Sequence, residues 1–203
     1  MKRARLNICL VSIWGMVLIL VLLCIRKQPE TMYQHCKDSE IEPINEYLYC
    51  EKGCSKDEIK EILTLIGYLP PSLLDAFRQE NGRIILVSDL KGGCIGSTEI
   101  EPDNITIYIQ DGYVFDSLIH EFGHIYLHFH PMEEEFKELF KTEAKSLVTA
   151  YYGDSPYYYT NEKEYFAQAF QTVLCMGGHD TQEAAPDTFH YMSRLIGEMF
   201  DEK

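Results

Sequence analysis

Hydrophobic positions along residues 46–203 recur with two different periods, and the change from one to the other sets out the elements. Ser55-Lys-Asp-Glu58 reads as a capping box that opens a helix running to about Gly67. Leu69-Pro-Pro-Ser72 starts a second helix, which stops near Asn81-Gly82. Arg83-Ile-Ile-Leu-Val-Ser88 is an unbroken apolar run and predicts a buried strand. Lys91 to Ser97 reads as a Gly-rich turn. Ile105-Thr-Ile-Tyr-Ile-Gln110 has period-2 character and predicts a second strand, either an edge strand or an internal one. Beyond Asp111-Gly112, Phe115, Leu118, Ile119, Phe122, Tyr126 and Phe129 fall at helical spacing and form one apolar stripe. An acidic helix from about Met132 follows, then a Tyr-rich loop from Tyr151 to Thr160. Two more helices are predicted near Glu162–Cys175 and Asp187–Phe200. Strands in front and helices behind predict an α+β domain, with a small front sheet and a helical back half.

The N-terminus carries a different pattern. Ile8 to Ile25 has no charged residue and is interrupted only by Ser12 and Gly15. As a helix it spans about 27 Å, close to the thickness of a bilayer core. Leu22-Leu23-Cys24-Ile25 offers no small-residue cleavage pattern, so residues 1–27 are expected to form an uncleaved signal anchor. Residues 28–45 are polar and read as a tether to a domain over 46–203. Lys2, Arg3 and Arg5 precede the apolar run, and acidic sequence soon follows it. That asymmetry predicts a single-pass protein of the cell membrane with its domain extracellular, or a secreted domain if the segment is cleaved.

Charge narrows the partners. The chain has 203 residues and a formal charge of −14. Every Asp and Glu lies in residues 30–203, where 32 acidic residues face 13 Lys and Arg, a charge of −19. Such a domain repels nucleic acid. Five cysteines lie beyond the apolar run (Cys36, Cys50, Cys54, Cys94 and Cys175), so at most two bridges form within one chain. Cys50-x-x-x-Cys54 has no second close Cys or His pair and is not a zinc knuckle.

The chemistry concentrates at His120-Glu-Phe-Gly-His124. The two histidines stand one helical turn apart, with Cβ atoms about 6 Å from each other, so both imidazoles reach one ion. Zinc accepts neutral imidazole nitrogen without a strong geometric demand. Glu121 projects beside the ligands as a base for water. Gly123 costs a helix interior about 1 kcal/mol relative to Ala, which a close approach by another element or by substrate would explain.

The third ligand has two candidates. His130 stands where a metzincin carries its last histidine, but Leu127 occupies the position of the turning glycine. A continuing helix puts His130 about 240° round from His124. His128 reads as a rim residue. The other candidate is Glu164 in Asn161-Glu-Lys-Glu-Tyr-Phe-Ala-Gln-Ala-Phe170, which would complete a His₂Glu site with one open position. Asn161-x-x-Glu164 is also a capping-box pattern, and Glu162 is a neighbouring carboxylate.

His120-Glu-Phe-Gly-His124 followed by Tyr158-Tyr-Thr-Asn-Glu-Lys-Glu-Tyr-Phe-Ala-Gln-Ala-Phe170 resembles the peptidase domain of anthrax lethal factor and the related Pro-Pro endopeptidases. The resemblance extends loosely over about residues 60–180. It implies a zincin-like metallopeptidase domain that binds one zinc ion and acts on a peptide or protein substrate. It also implies that Glu164 is the third ligand and that Tyr157, seven residues earlier, polarises the substrate carbonyl or stabilises its oxyanion. Two departures stand out. Family members commonly carry a second Glu four residues after the ligand, and this chain has Gln168. The only Trp is Trp14, so a Trp platform for prolines is missing from the domain. A domain that merely bound zinc or a partner would need neither Glu121 nor Tyr157.

Overall fold

The computed structural model describes residues 41–153 and 160–201. Among the described residues, five strands form one mixed sheet: β1 (Ile41–Pro43), β2 (Leu48–Glu51), β3 (Arg83–Val87), β4 (Gly96–Glu101) and β5 (Asn104–Gln110), in the spatial order β1-β2-β3-β5-β4. β2, β3 and β5 run parallel, whereas β1 and β4 pair antiparallel on the two edges. The helices are α1 (Lys56–Ile66), α2 (Pro71–Gln79), α3 (Val114–Phe129), α4 (Glu134–Tyr152), α5 (Glu162–Cys175), α6 (His179–Ala184) and α7 (Pro186–Asp201).

The central strands are buried along nearly their whole length, as the apolar run 83–88 predicted: Ile84, Leu86, Ile107 and Ile109 are fully covered. Strand 105–110 is internal, between β3 and β4. The edge belongs to β4, whose first two residues fall in the Gly-rich stretch 91–97 and whose remaining four carried no strand prediction. Pro102-Asp103 joins β4 to β5 as a two-residue hairpin loop, with Glu101 opposite Asn104. The stretch expected to be a tether through residue 45 contributes β1 at Ile41–Pro43. Its Pro43 is tolerated because an edge strand need not supply every ladder donor.

α1 and α2 form the crossover between the parallel strands β2 and β3. Ser55 caps α1 by accepting from Asp57 N at 3.2 Å. The Glu58 half of the expected capping box is spent elsewhere: its carboxylate accepts from Val114 N at 3.1 Å, at the start of α3. Tyr113, the N-cap residue of α3, gives no side-chain cap, so an acid on α1 supplies the anion that this helix end favours. Asp111 accepts from Ser55 N at 3.0 Å and ties the same corner together. α3 therefore enters the core at a fixed angle. It is buried almost all round, including Ile125. Phe115, expected in the apolar stripe, is 42% exposed at its first turn.

No helix among the described residues is long and apolar enough to cross a membrane. The apolar segment 8–25 lies outside the described residues, as does most of the polar stretch 28–45.

Candidate active site

Among the described residues α3 and α5 make the most extensive helix pairing, and Gly123 meets Ala167 across it. A Cβ at Gly123 would stand 2.6 Å from Ala167 Cα and 3.1 Å from Ala167 Cβ. The close approach inferred from that costly glycine is therefore to the backbone of α5. Ala167 is one turn beyond Glu164, so the distance between the helices sets how far Glu164 reaches toward the histidines. Gly123→Ala is expected to cost about 1–3 kcal/mol through overpacking, despite alanine's better helix propensity. In a domain of this size, thermal unfolding should shift down by about 2–4 °C per kcal/mol. An unchanged melting temperature would show that the helices separate freely.

Asn161 caps α5 by accepting from Lys163 N at 3.0 Å and Glu164 N at 3.5 Å. The Glu164 carboxylate does not close the capping box. It turns to the histidines, with Oε2 at 3.2 Å from His120 Nε2 and Oε1 at 3.5 Å from His124 Nε2. The two Nε2 atoms are 3.2 Å apart. Two imidazole nitrogens and a carboxylate thus converge within 3.5 Å of one another. Bonds of about 2.0–2.1 Å in a tetrahedron place neighbouring donors about 3.3 Å apart, so the triangle fits one face of a zinc coordination sphere. The fourth direction faces a cleft of about 1090 Å³. Among the described residues, His120, His124 and Glu164 form the one group of three such donors close enough to share an ion. Glu162 stays outside it. His130 ends α3 stacked on Tyr126, with ring centroids 4.6 Å apart. His128 lies exposed on the rim of the cleft.

Burial pushes the Glu164 carboxyl upward, but hydrogen bonds from His120 and His124 outweigh it and hold the group well below the usual carboxylate range. Burial alone would lower His124; its hydrogen bond to Glu164 and the nearby Glu121 and Glu164 charges raise it instead.

Glu121 is buried beside the cluster and lines the same cleft. Burial raises its pKa, opposed by a hydrogen bond from Thr98 and by the two histidines. Thr98 Oγ1 donates to Glu121 Oε2 at 2.6 Å. Gly96, on the same strand, makes room: a Cβ there would meet Glu121 Oε1 and Ser117 Cβ at 2.9 Å each. Neither Thr98 nor Gly96 was singled out from the sequence. The available signal was the β-branched alternation Thr98, Ile100 leading into Pro102-Asp103, masked by the glycines before it.

Gln168, in place of the family's common second Glu, is buried and lines the cleft. Its Nε2 donates to Gln171 Oε1 at 3.4 Å, and Gln171 Nε2 donates to the Phe115 carbonyl at 3.0 Å. This relay pins α5 to the start of α3 without adding negative charge. Tyr157 lies outside the described residues.

The comparisons with known proteins agree with the resemblance read from the two motif blocks. A family model described as anthrax toxin lethal factor, N- and C-terminal domain, matches residues 103–195, a stretch containing both blocks. Among solved structures, a Pro-Pro endopeptidase from Paenibacillus alvei is similar, with a TM-score of 0.57 and 21% identity. The match covers 73% of this chain and 96% of that one. At that identity the likeness concerns the fold, a mixed α+β arrangement with a small sheet and a largely helical body. No curated protein matches the chain.

Proposed function

From its resemblance to the lethal factor metallopeptidase family, we propose that this protein is a zinc-dependent endopeptidase that hydrolyses peptide bonds in peptide or protein substrates. The observation that carries the reading is the convergence of His120, His124 and Glu164 beside the buried Glu121, at the wall of an open cleft. His120 and His124 would hold one zinc ion per chain through Nε2, and Glu164 through its carboxylate. When bound, zinc lowers the pKa of water to about 7 and polarises a carbonyl. Glu121 accepts the proton of the attacking water and delivers it to the leaving amine. Thr98 fixes the carboxylate's orientation through a single hydrogen bond.

β4 is placed to pair with an extended substrate. Among the described residues β4 is the last strand of the sheet on the β5 side, and Gly96, Thr98 and Ile100 line the cleft. An extended peptide pairing there would lie beside the donor cluster. Tyr157 is proposed as the oxyanion donor. Tyr157→Phe should lower kcat by about a hundredfold or more while zinc content stays at wild-type level. A rate indistinguishable from wild type would pass the role to another tyrosine of 151–159 or remove it.

Cleavage next to proline and an extracellular, membrane-anchored or secreted setting remain part of this reading. They are supported by the family resemblance and by the basic flank of the apolar N-terminal run. Digestion of a mixed peptide library by the full chain, with and without a chelator, tests the whole proposal. Cleavage products that vanish with chelator and return with zinc support it. An intact library at saturating zinc would leave a binding module of the same fold.

A further inference from the structure

Cys50 and Cys54 stand at a corner that the hydrolytic site does not use. Cys50 lies in β2, and Cys54 immediately precedes the Ser55 cap of α1. Between them the chain reverses: Cys54 N donates to Glu51 O at 3.2 Å, with Gly53 at φ +102°. The reversal brings both side chains to the same point on the neighbouring strand. Cys50 is the register partner of Leu86 in β3, and Cys54 Sγ donates to the Leu86 carbonyl at 3.7 Å. Cys50 Sγ donates to the Glu51 carbonyl at 3.0 Å, the same oxygen that accepts from Cys54 N. The other described cysteines are placed elsewhere, Cys94 exposed at the cleft and Cys175 at the end of α5.

The surroundings limit what this pair does. Burial pushes both thiols up, Cys54 to about 12; the Asp111 and Glu51 charges add to both, whereas the partner cysteine raises Cys54 and lowers Cys50. Neither is therefore a resting thiolate nucleophile. The pair also belongs to no group of three metal donors among the described residues. Two thiols flanking one tight turn, beside the same stretch of β3, retain one chemistry.

We propose that Cys50 and Cys54 are a disulfide-forming pair, cross-linked through exchange with a small-molecule disulfide. Cys54, the less buried, loses its proton and attacks the oxidant RSSR; a mixed disulfide forms and RS⁻ leaves. Cys50 then loses its proton and attacks the Cys54 sulfur, expelling the second RS⁻. Two thiols are oxidised, and one RSSR is reduced to two RSH. The cross-link closes β2 onto the first turn of α1, the corner where Ser55 N meets Asp111 and from which Glu58 reaches the start of α3. The inference stands on the thiol geometry and is independent of the peptidase reading.

The test uses the full chain, reduced and then equilibrated natively with oxidised glutathione. Remaining thiols are alkylated and the protein is digested with trypsin. Cleavage after Lys37, Lys52 and Lys56 puts Cys50 alone in peptide 38–52 and Cys54 alone in peptide 53–56. The expected result is that most Cys50 appears in a linked 38–52/53–56 species, which reductant dissolves and Cys54→Ser abolishes. Alkylated or glutathionylated Cys50 and Cys54 without the link would overturn the proposal. So would Cys50 joined instead to Cys36, Cys94 or Cys175.

Discussion

Glu121→Gln is expected to keep its zinc and lose about a thousandfold in kcat. The substitution preserves size and leaves an acceptor oxygen for Thr98, so the cleft wall and the three donors should stay in place. What it removes is the capacity to take a proton from water, a contribution typically of about 10²–10⁴ in rate. Because Glu121 is not one of the three converging donors, metal content and activity should part company in this variant. Single-turnover hydrolysis together with elemental analysis of the same sample checks both halves. Turnover within a few fold of wild type would remove Glu121 as the base.

Glu164→Ala is expected to do the reverse, losing the metal first and the activity as a consequence. Apparent zinc binding energies of about 10–16 kcal/mol shared among a few ligands give about 3 kcal/mol for one of them, or about a hundredfold or more in affinity. The loss also leaves two imidazoles facing each other with no carboxylate to balance them. His130→Ala should leave zinc affinity at its wild-type value, since His130 stacks on Tyr126 outside the cluster. Competition titration against a colorimetric chelator reads both variants. The opposite ranking would return the third ligand to the end of α3.

How much of this was legible in the sequence differs from element to element. The strands at 83–88 and 105–110 announced themselves because continuous or alternating apolar runs have few other solutions. β1 and β2 did not, because they are three and four residues long and mix Glu, Tyr, Cys and Pro. β4 hid behind Gly92, Gly93 and Gly96. Its value as a strand comes from pairing with β5 and holding Glu121, and both contacts are non-local. The short helix α6 gave too little periodicity to register.

The site shows the same division. His120 and His124 are one turn apart on one helix, so local geometry brings them together in advance. Glu164 lies 44 residues beyond His120 and carried two readings, cap or ligand. Asn161 alone caps the helix, which leaves the carboxylate for the histidines. Glu58 followed the same logic in reverse, since its capping-box pattern gave no hint that it would hold the start of α3 instead. Gly123 was legible as an anomaly, and the structure supplies its cause in the backbone of α5. The motif resemblance supplied the choice of Glu164, whereas its closeness to the histidines comes from the packing.

The central claim is that three side chains from two helices share one zinc ion. Anomalous scattering at the zinc edge from crystals of the full chain measures it directly. A single peak about 2.0–2.2 Å from His120 Nε2, His124 Nε2 and a Glu164 oxygen is the predicted result. A peak bound without Glu164, or none at the paired histidines in crystals grown with excess zinc, would contradict it.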